Sequence, residues 1–211
     1  MLPGYIEFLR SIYRQWKCNR VIHIGDVTDF HCVCYHEKNP EAPPPTVELA
    51  KAKLQVKELE RAFPKLQVLT GNHDALPKRK AVTLGIPVEL IKSQKQIWDT
   101  RHWQWMPRYG TVEIDGALYR HGDKGKGGQN SATINSRENF KSLIQGHHHQ
   151  LGFVQYYANE TARCFGMQTG CGIDWGEAQL SYGMKFNNKP VISCGVVIDG
   201  RYGYCEPMEL P

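Results

Sequence analysis

The sequence predicts an α/β fold, and three observations carry that prediction. A helix-periodic stretch followed by a short apolar run occurs twice within the first 72 residues. From residue 108 onward the pattern changes to short alternating strands punctuated by Asp-Gly turns. Apolar residues make up 41% of the chain and charged residues 22%, the balance of an ordinary globular protein. At 211 residues the chain is long enough for a substantial core, and with no internal repeat, coiled coil or linker a single domain over 1–211 is expected.

Residues 5–16 predict an amphipathic helix. Tyr5, Phe8, Leu9, Ile12 and Trp16 share one face, while Glu7, Arg10, Ser11, Arg14 and Gln15 face away. Pro3 suits its first turn. The run RVIHIGD predicts a buried strand ending at glycine. Proline content makes 39–46 a loop. Thr46 is expected to cap a second helix with Leu49, Ala52, Val56, Leu59 and Phe63 on its apolar face, and Pro64 ends it. LQVLTGN is the next strand. Helix-strand, helix-strand is the rhythm of a parallel sheet with right-handed crossovers.

ELIKSQKQIWD, at 89–99, is expected to be helical, and the aromatics of RHWQWMPRY are expected to pack inward. YGTVEIDGALYRHG predicts a hairpin turning at Asp115-Gly116, followed by the glycine-rich loop GDKGKGGQN and a short helix over 131–140. SLIQG, GFVQYYA, RCFGMQTG and VISCGVVIDGRYGYCEP predict further strands, the last a hairpin turning at Asp199-Gly200.

Composition narrows the setting. No apolar run is long enough to span a bilayer, so no membrane partner is expected. The N-terminus shows no secretion signal. The seven cysteines include no CxxC pair, which points to a reducing, cytoplasmic setting. The net charge of +5 mildly favours anionic partners.

Four apolar runs each end in metal-competent residues. VIHIG leads to Asp26 and Asp29. LQVLTG leads to Asn72, His73 and Asp74. GALYR leads to His121, and SLIQG to His147 and His149. Open α/β sheets bind ligands beyond the carboxyl ends of their strands, so the four clusters are expected to converge. Oxygen and imidazole donors without thiolate suit Mn, Fe, Zn, Ni or Co. An extended HHH would send His147 and His149 to one side and His148 to the other. The glycines before Asp26, Asn72 and His147 would let the backbone turn sharply.

The order GDVTD (25–29), GNHD (71–74), His121 in RHGD and GHHH (146–149) resembles that of the calcineurin-like metallophosphoesterases, including small bacterial and phage members. The resemblance implies a four-layer α/β/β/α sandwich and a centre of two divalent metals, Mn foremost, that hydrolyses phosphoesters with a hydroxide bridging them. It implies Asp26 as the bridging carboxylate, Asn72, His121 and His147 as ligands of the second metal, and His149 as a ligand of the first. It also implies His73 as the group that stabilises the transition state or protonates the leaving oxygen, with Asp29 orienting it. Asp74 is read as shaping its loop.

One feature departs from the family pattern. Its opening Asp-x-His, which supplies two ligands of the first metal, does not occur in residues 1–24. The expectation is an N-terminally truncated domain lacking its first strand. His31, Cys32, Cys34 and His36 in FHCVCYHE are the substitutes on offer, although His31 is read instead as a substrate contact at the rim.

Family members act on phosphoproteins, nucleotides, nucleic acids and lipid headgroups, so fold alone does not choose a substrate. Phe30 after GDVTD, and GNHD in place of GNHE, depart from the protein phosphatases; GNHD with GHxH also occurs in repair exonucleases. A nuclease or phosphodiesterase acting on DNA or nucleotides is therefore the leading reading, with Lys124 and Lys126 on the glycine-rich loop as candidate phosphate contacts. That loop reads equally as a mobile surface connection. The alternatives are a phosphomonoesterase or protein phosphatase, or a degenerate binding module that keeps one metal.

Overall fold

The computed structural model describes residues 1–35, 38–177 and 187–209. The fold is mixed α/β. Helix α1 (Tyr5–Gln15) leads to strand β1 (Ile22–His23), and helix α2 (Pro45–Ala62) to strand β2 (Gln67–Leu69). Helices α3 (Leu76–Thr83) and α4 (Gln94–Trp98) precede strand β3 (Gln104–Met106). These three strands form a parallel sheet in the order β1-β2-β3, as the helix-strand rhythm requires.

The helices bury one face against this sheet. Val56 and Leu59 of α2, with Phe63 just beyond it, pack with Val68, Trp98 and Trp103, and Ile6, Leu9 and Tyr13 of α1 join them. The expected aromatic packing is present: Trp103 is 2% exposed, and its indole nitrogen donates to the Phe63 carbonyl at 3.0 Å.

Several local expectations are corrected. Thr46 does not cap α2; Pro45 occupies the first turn, where its missing N–H costs nothing. The predicted helix over 89–99 splits into a single 3-10 turn at Val88–Leu90 and α4. Ser93 and Gln96 close a capping box there and fix where α4 begins. RHWQWMPRY supplies β3, because it pairs in parallel with β2.

The remaining strands form a five-stranded sheet in the order β4-β5-β6-β8-β7, from β4 (Val112–Ile114), β5 (Ala117–Arg120), β6 (Leu143–Gln145), β7 (Gly152–Ala158) and β8 (Arg163–Thr169). The β4–β5 hairpin turns where expected, with Asp115 and Gly116 both at positive φ. Strands β9 (Ser193–Ile198) and β10 (Tyr202–Pro207) form a separate hairpin, turning at Asp199 and Gly200, also at positive φ.

Helix α5 (Ser131–Asn139) and the β9–β10 hairpin cover opposite faces of β8. A Cβ on Gly166 would lie 2.5 Å from the backbone of Ala132 and Thr133 in α5. Phe165 and Met167 point the other way, and Gly203 of the hairpin lies against them. Ile24, just beyond β1, packs into the cluster of Ala117, Ile144, Phe165 and Met167. The ends of the two sheets thereby meet. No helix among the described residues is long and apolar enough to cross a membrane.

Gly166→Ala drives a methyl group into the α5 backbone, which has no side-chain freedom with which to yield. It is expected to destabilise the fold by about 1–3 kcal/mol, read as a lowered urea midpoint; an unchanged midpoint would show that α5 is free to move off the sheet.

Candidate metal centre

The strand ends converge through a single carboxylate. Asp74, fully buried, accepts hydrogen bonds from the Asp26 amide (2.7 Å), the Val27 amide (2.9 Å) and the Gly71 amide (2.9 Å). It thus joins the turn after β1 to the turn after β2. The two turns interlock so closely that only glycine fits. A Cβ on Gly25 would strike the Leu69 carbonyl, the Gly71 amide and the His121 ring, and one on Gly71 would overlap the Asp26 carboxylate. Gly25 does take positive φ, but Gly71 is needed for close approach, and Asp26 itself adopts the left-handed region at φ 52°.

That conformation aims the Asp26 carboxylate at three other motif residues. Its Oδ2 lies 3.2 Å from His121 Nε2, which is also 3.0 Å from Asn72 Oδ1. His121 Nδ1 donates to the Ile24 carbonyl at 2.8 Å, which fixes the tautomer and leaves Nε2 as an acceptor in the neutral ring. His147 completes the group: ligand atoms of Asp26, His121 and His147 all lie within 4.8 Å of one another. Two oxygens and two imidazole nitrogens turned toward one point repel each other unless a proton or a cation lies among them. Burial opposes a proton on His121, but the Asp26 charge and hydrogen bond raise its pKa. Asp26 is held below the usual carboxylate range, because its histidine partners outweigh the burial that opposes ionisation. Burial and the nearby His121 push His147 down to about 4, so it is a neutral donor at ordinary pH. The donor set fits a divalent metal of the Mn, Fe, Zn, Ni or Co group.

The GHHH stretch is not extended, which corrects the alternation argument. His147 is left-handed at φ 71°, and the His148 amide closes a tight turn on the Gly146 carbonyl at 2.9 Å. The turn sends His147 toward His121, while His149 lines the neighbouring cleft. Burial lowers the pKa of His149, and the Asp26 charge opposes that shift.

Asp26, Asp29, His73 and His149 line this cleft together. His73 is tied to the centre from both ends. Its amide donates to Asp26 Oδ1 at 2.9 Å, and its ring Nδ1 lies 2.8 Å from the Asp29 carbonyl and 3.1 Å from Asp29 Oδ1. Burial works against a charged ring, but the Asp29 hydrogen bond and the Asp26 charge prevail, and the pKa rises to about 9.

His31 lies inward rather than at the rim, with 4% of its surface exposed. Glu48 accepts from the His31 and Cys32 amides at 2.7 and 3.0 Å, pinning their 3-10 turn. The His31 ring faces Asp29 Oδ2 at 3.9 Å, on the side away from His73. Among the offered substitutes, His31, Cys32 and Cys34 do not join the metal-competent cluster; His36 lies outside the described residues. Lys124 and Lys126 are exposed on their loop. The loop is anchored, since Asn135 Oδ1 accepts from the Lys126 amide and Asn135 Nδ2 donates to its carbonyl.

Asp123, which the motif reading did not use, and Asp74, which it took to shape its loop, help hold the centre. Asp123, two places after His121, pairs with Arg108 at 2.9 Å and ties the end of β3 to the end of β5. Asp74 is the tie already described, and the GNHD motif contained that signal. Burial and the Asp26 charge push the Asp74 pKa up to about 7, against its amide donors. No family model matches the chain, and no curated protein matches it.

Asp74→Asn turns one acceptor toward a backbone N–H as a second donor. It is expected to cost about 3 kcal/mol of stability and to weaken Mn²⁺ binding, read by urea unfolding and calorimetry; a wild-type midpoint would show that the tie lies elsewhere. In an NMR titration of the metal-free protein, His73 is expected to lose its proton near pH 9, and Asp29→Asn to bring that midpoint down toward the ordinary 6.5. Because the folded pKa is raised, the stabilisation from this pair is complete below about pH 6.5 and is lost as pH rises through about 9.

Proposed function

We propose that this protein is a metal-dependent phosphoesterase of the calcineurin-like metallophosphoesterase type, acting on phosphodiester bonds of nucleotides or DNA. The observation that carries the reading is the convergence of Asp26, Asn72, His121 and His147 on one point from four separate strand ends. The four-layer sandwich belongs to the same reading. It is supported by α5 on the face of the five-stranded sheet opposite the cluster that receives Ile24.

Asp26, Asn72, His121 and His147 would hold one divalent ion, with Mn²⁺ foremost. Asp26 and His149 are the groups this chain offers to a second ion on the cleft side. Bound divalent ions supply positive charge for phosphoryl oxygens and lower the pKa of water. The remaining steps fall to the chain. His73 lines the cleft with a proton that it keeps through neutral pH, so it is the group to neutralise a leaving oxygen. Asp29 orients that ring and balances its charge. The glycine-rich loop springs from the centre itself, since a Cβ on Gly122 would lie 3.1 Å from the His147 Cβ. Lys124 and Lys126, exposed on that loop, would be the residues to meet a phosphate backbone.

A one-metal binding module is the second reading. It is favoured by the single cluster of three metal-competent His, Asp, Glu or Cys side chains among the described residues. Metal stoichiometry separates the two: near two for the enzyme, near one for the module.

The test is turnover of bis-p-nitrophenyl phosphate, p-nitrophenyl phosphate and linear DNA with Mn²⁺. Asp26→Asn is expected to abolish both metal binding and activity. His73→Ala is expected to lower turnover by about 10²–10⁴-fold with metal retained. Metal bound without turnover of any substrate would overturn the enzyme reading, and metal lost from His73→Ala would refute the role given to that ring.

A further inference from the structure

Beneath the GHHH turn lies a buried polar network that the reaction does not use. Gln145 ends β6, and Gln168 sits beside it on the adjacent parallel strand β8; both are fully buried. Two glutamines at the centre of a sheet are costly unless every polar atom finds a partner. Here the partners can be traced. Gln168 Nε2 donates to the Gly146 carbonyl at 2.8 Å and to the Gln145 carbonyl at 3.1 Å. Its Oε1 accepts from Ser131 Oγ at 3.1 Å and from Gln145 Nε2 at 3.0 Å. This orientation is assigned from the hydrogen-bond network, because the reverse one would set oxygen against two carbonyls. Gln145 Nε2 also donates to Ser131 Oγ at 2.9 Å, and Gln145 Oε1 accepts from Asn135 Nδ2 at 3.3 Å.

The network ends on the residue that joins two of the candidate ligands. The Gly146 amide donates to the His121 carbonyl at 2.8 Å, and Gly146 directly precedes His147. The Gly146 carbonyl, receiving both Gln168 and the His148 amide, is the pivot of the left-handed turn that aims His147. Given the metal-centre reading, we propose that Gln168 is a positioning residue for the metal: by holding the Gly146 carbonyl it fixes the backbone from which His147 reaches the ion. Ser131 and Gln145 in turn hold the Gln168 amide in the orientation this requires. Removing a group that orients a ligand typically weakens metal affinity by about 10–100-fold.

The experiment titrates Co²⁺ into the full chain, reading affinity by calorimetry and ligand geometry by visible absorption. Gln168→Met keeps the side-chain volume and removes the donor. It is expected to weaken Co²⁺ binding at least about tenfold and to shift the visible spectrum. Thr133→Val is the control. It breaks a 2.8 Å bond to Gln155 in the same helix-sheet interface without reaching Gly146, so it should lower stability and leave affinity unchanged. Wild-type affinity and spectrum in Gln168→Met overturn the proposal. If that variant does not fold, Ser131→Ala decides, since it removes only the hydroxyl that orients Gln168; weakened binding supports the proposal and wild-type binding overturns it. A wild-type protein that takes up no Co²⁺ would instead refute the metal-centre reading, a result distinct from the others.

Discussion

The candidate centre depends on the Asp74 carboxylate. A carboxylate buried without a cation is among the least favourable groups a fold can hold. This one is held by three backbone amides, from Asp26, Val27 and Gly71, which would otherwise point into a sheet end with no acceptor. The arrangement serves both sides: the amides lose their orphan status and the carboxylate gains its solvation. Its structural effect is to lock two turns, 45 residues apart in sequence, into contact that tolerates no side chain on Gly25 or Gly71. Asp26 is carried into its left-handed conformation by that contact, and His73 follows because its amide bonds to Asp26.

A second constraint follows from the first. With the Asp26 carboxylate fixed, the fold brings His121 Nε2, Asn72 Oδ1 and His147 around it, all of them able to accept. Acceptors so close repel one another, and the molecule has two ways to relieve the repulsion. One is a proton on His121. The other is a cation among all four groups, which also offsets the repulsion between Asp26 and Asp74. Asp29 and His73 form a pair of opposite charges coupled to this balance, because the Asp26 charge also helps hold the His73 proton. The cleft thus offers a proton donor beside an anionic cluster.

How much of this was legible in the sequence follows from the range of each interaction. The strands before Asp26, Asn72, His121 and His147 were legible because each is a short apolar run closed by glycine or a charged residue. Both Asp-Gly hairpins were legible because a positive φ at two successive residues is a local demand. Helix α3 and strand β3 were not, since Leu76–Thr83 has few buried residues and Gln104–Met106 is a strand only by virtue of β2 beside it. His31 pointed outward in the reading and lies inward in the fold, because Glu48, seventeen residues away, decides where its turn sits. The bend in GHHH was hidden for a similar reason. An extended triplet is the default for three consecutive histidines, and the Gly146 contacts that overrule it come from His148, His121 and Gln168.

The two sides of Asp26 are therefore unequal, and the inequality lies in support as much as in ligand count. On one side, two candidate ligands are held by bonds away from their metal-facing atoms: His121 by the Ile24 carbonyl, and His147 by a turn whose carbonyl is held from β8. On the cleft side His149 stands with Asp26, and the nearest other motif residue, His73, is already committed to Asp29. A ligand whose orientation is fixed before the metal arrives loses little freedom on binding, and its affinity rises accordingly. Under the metal-centre reading, a divalent ion is thus expected on the His121–His147 side.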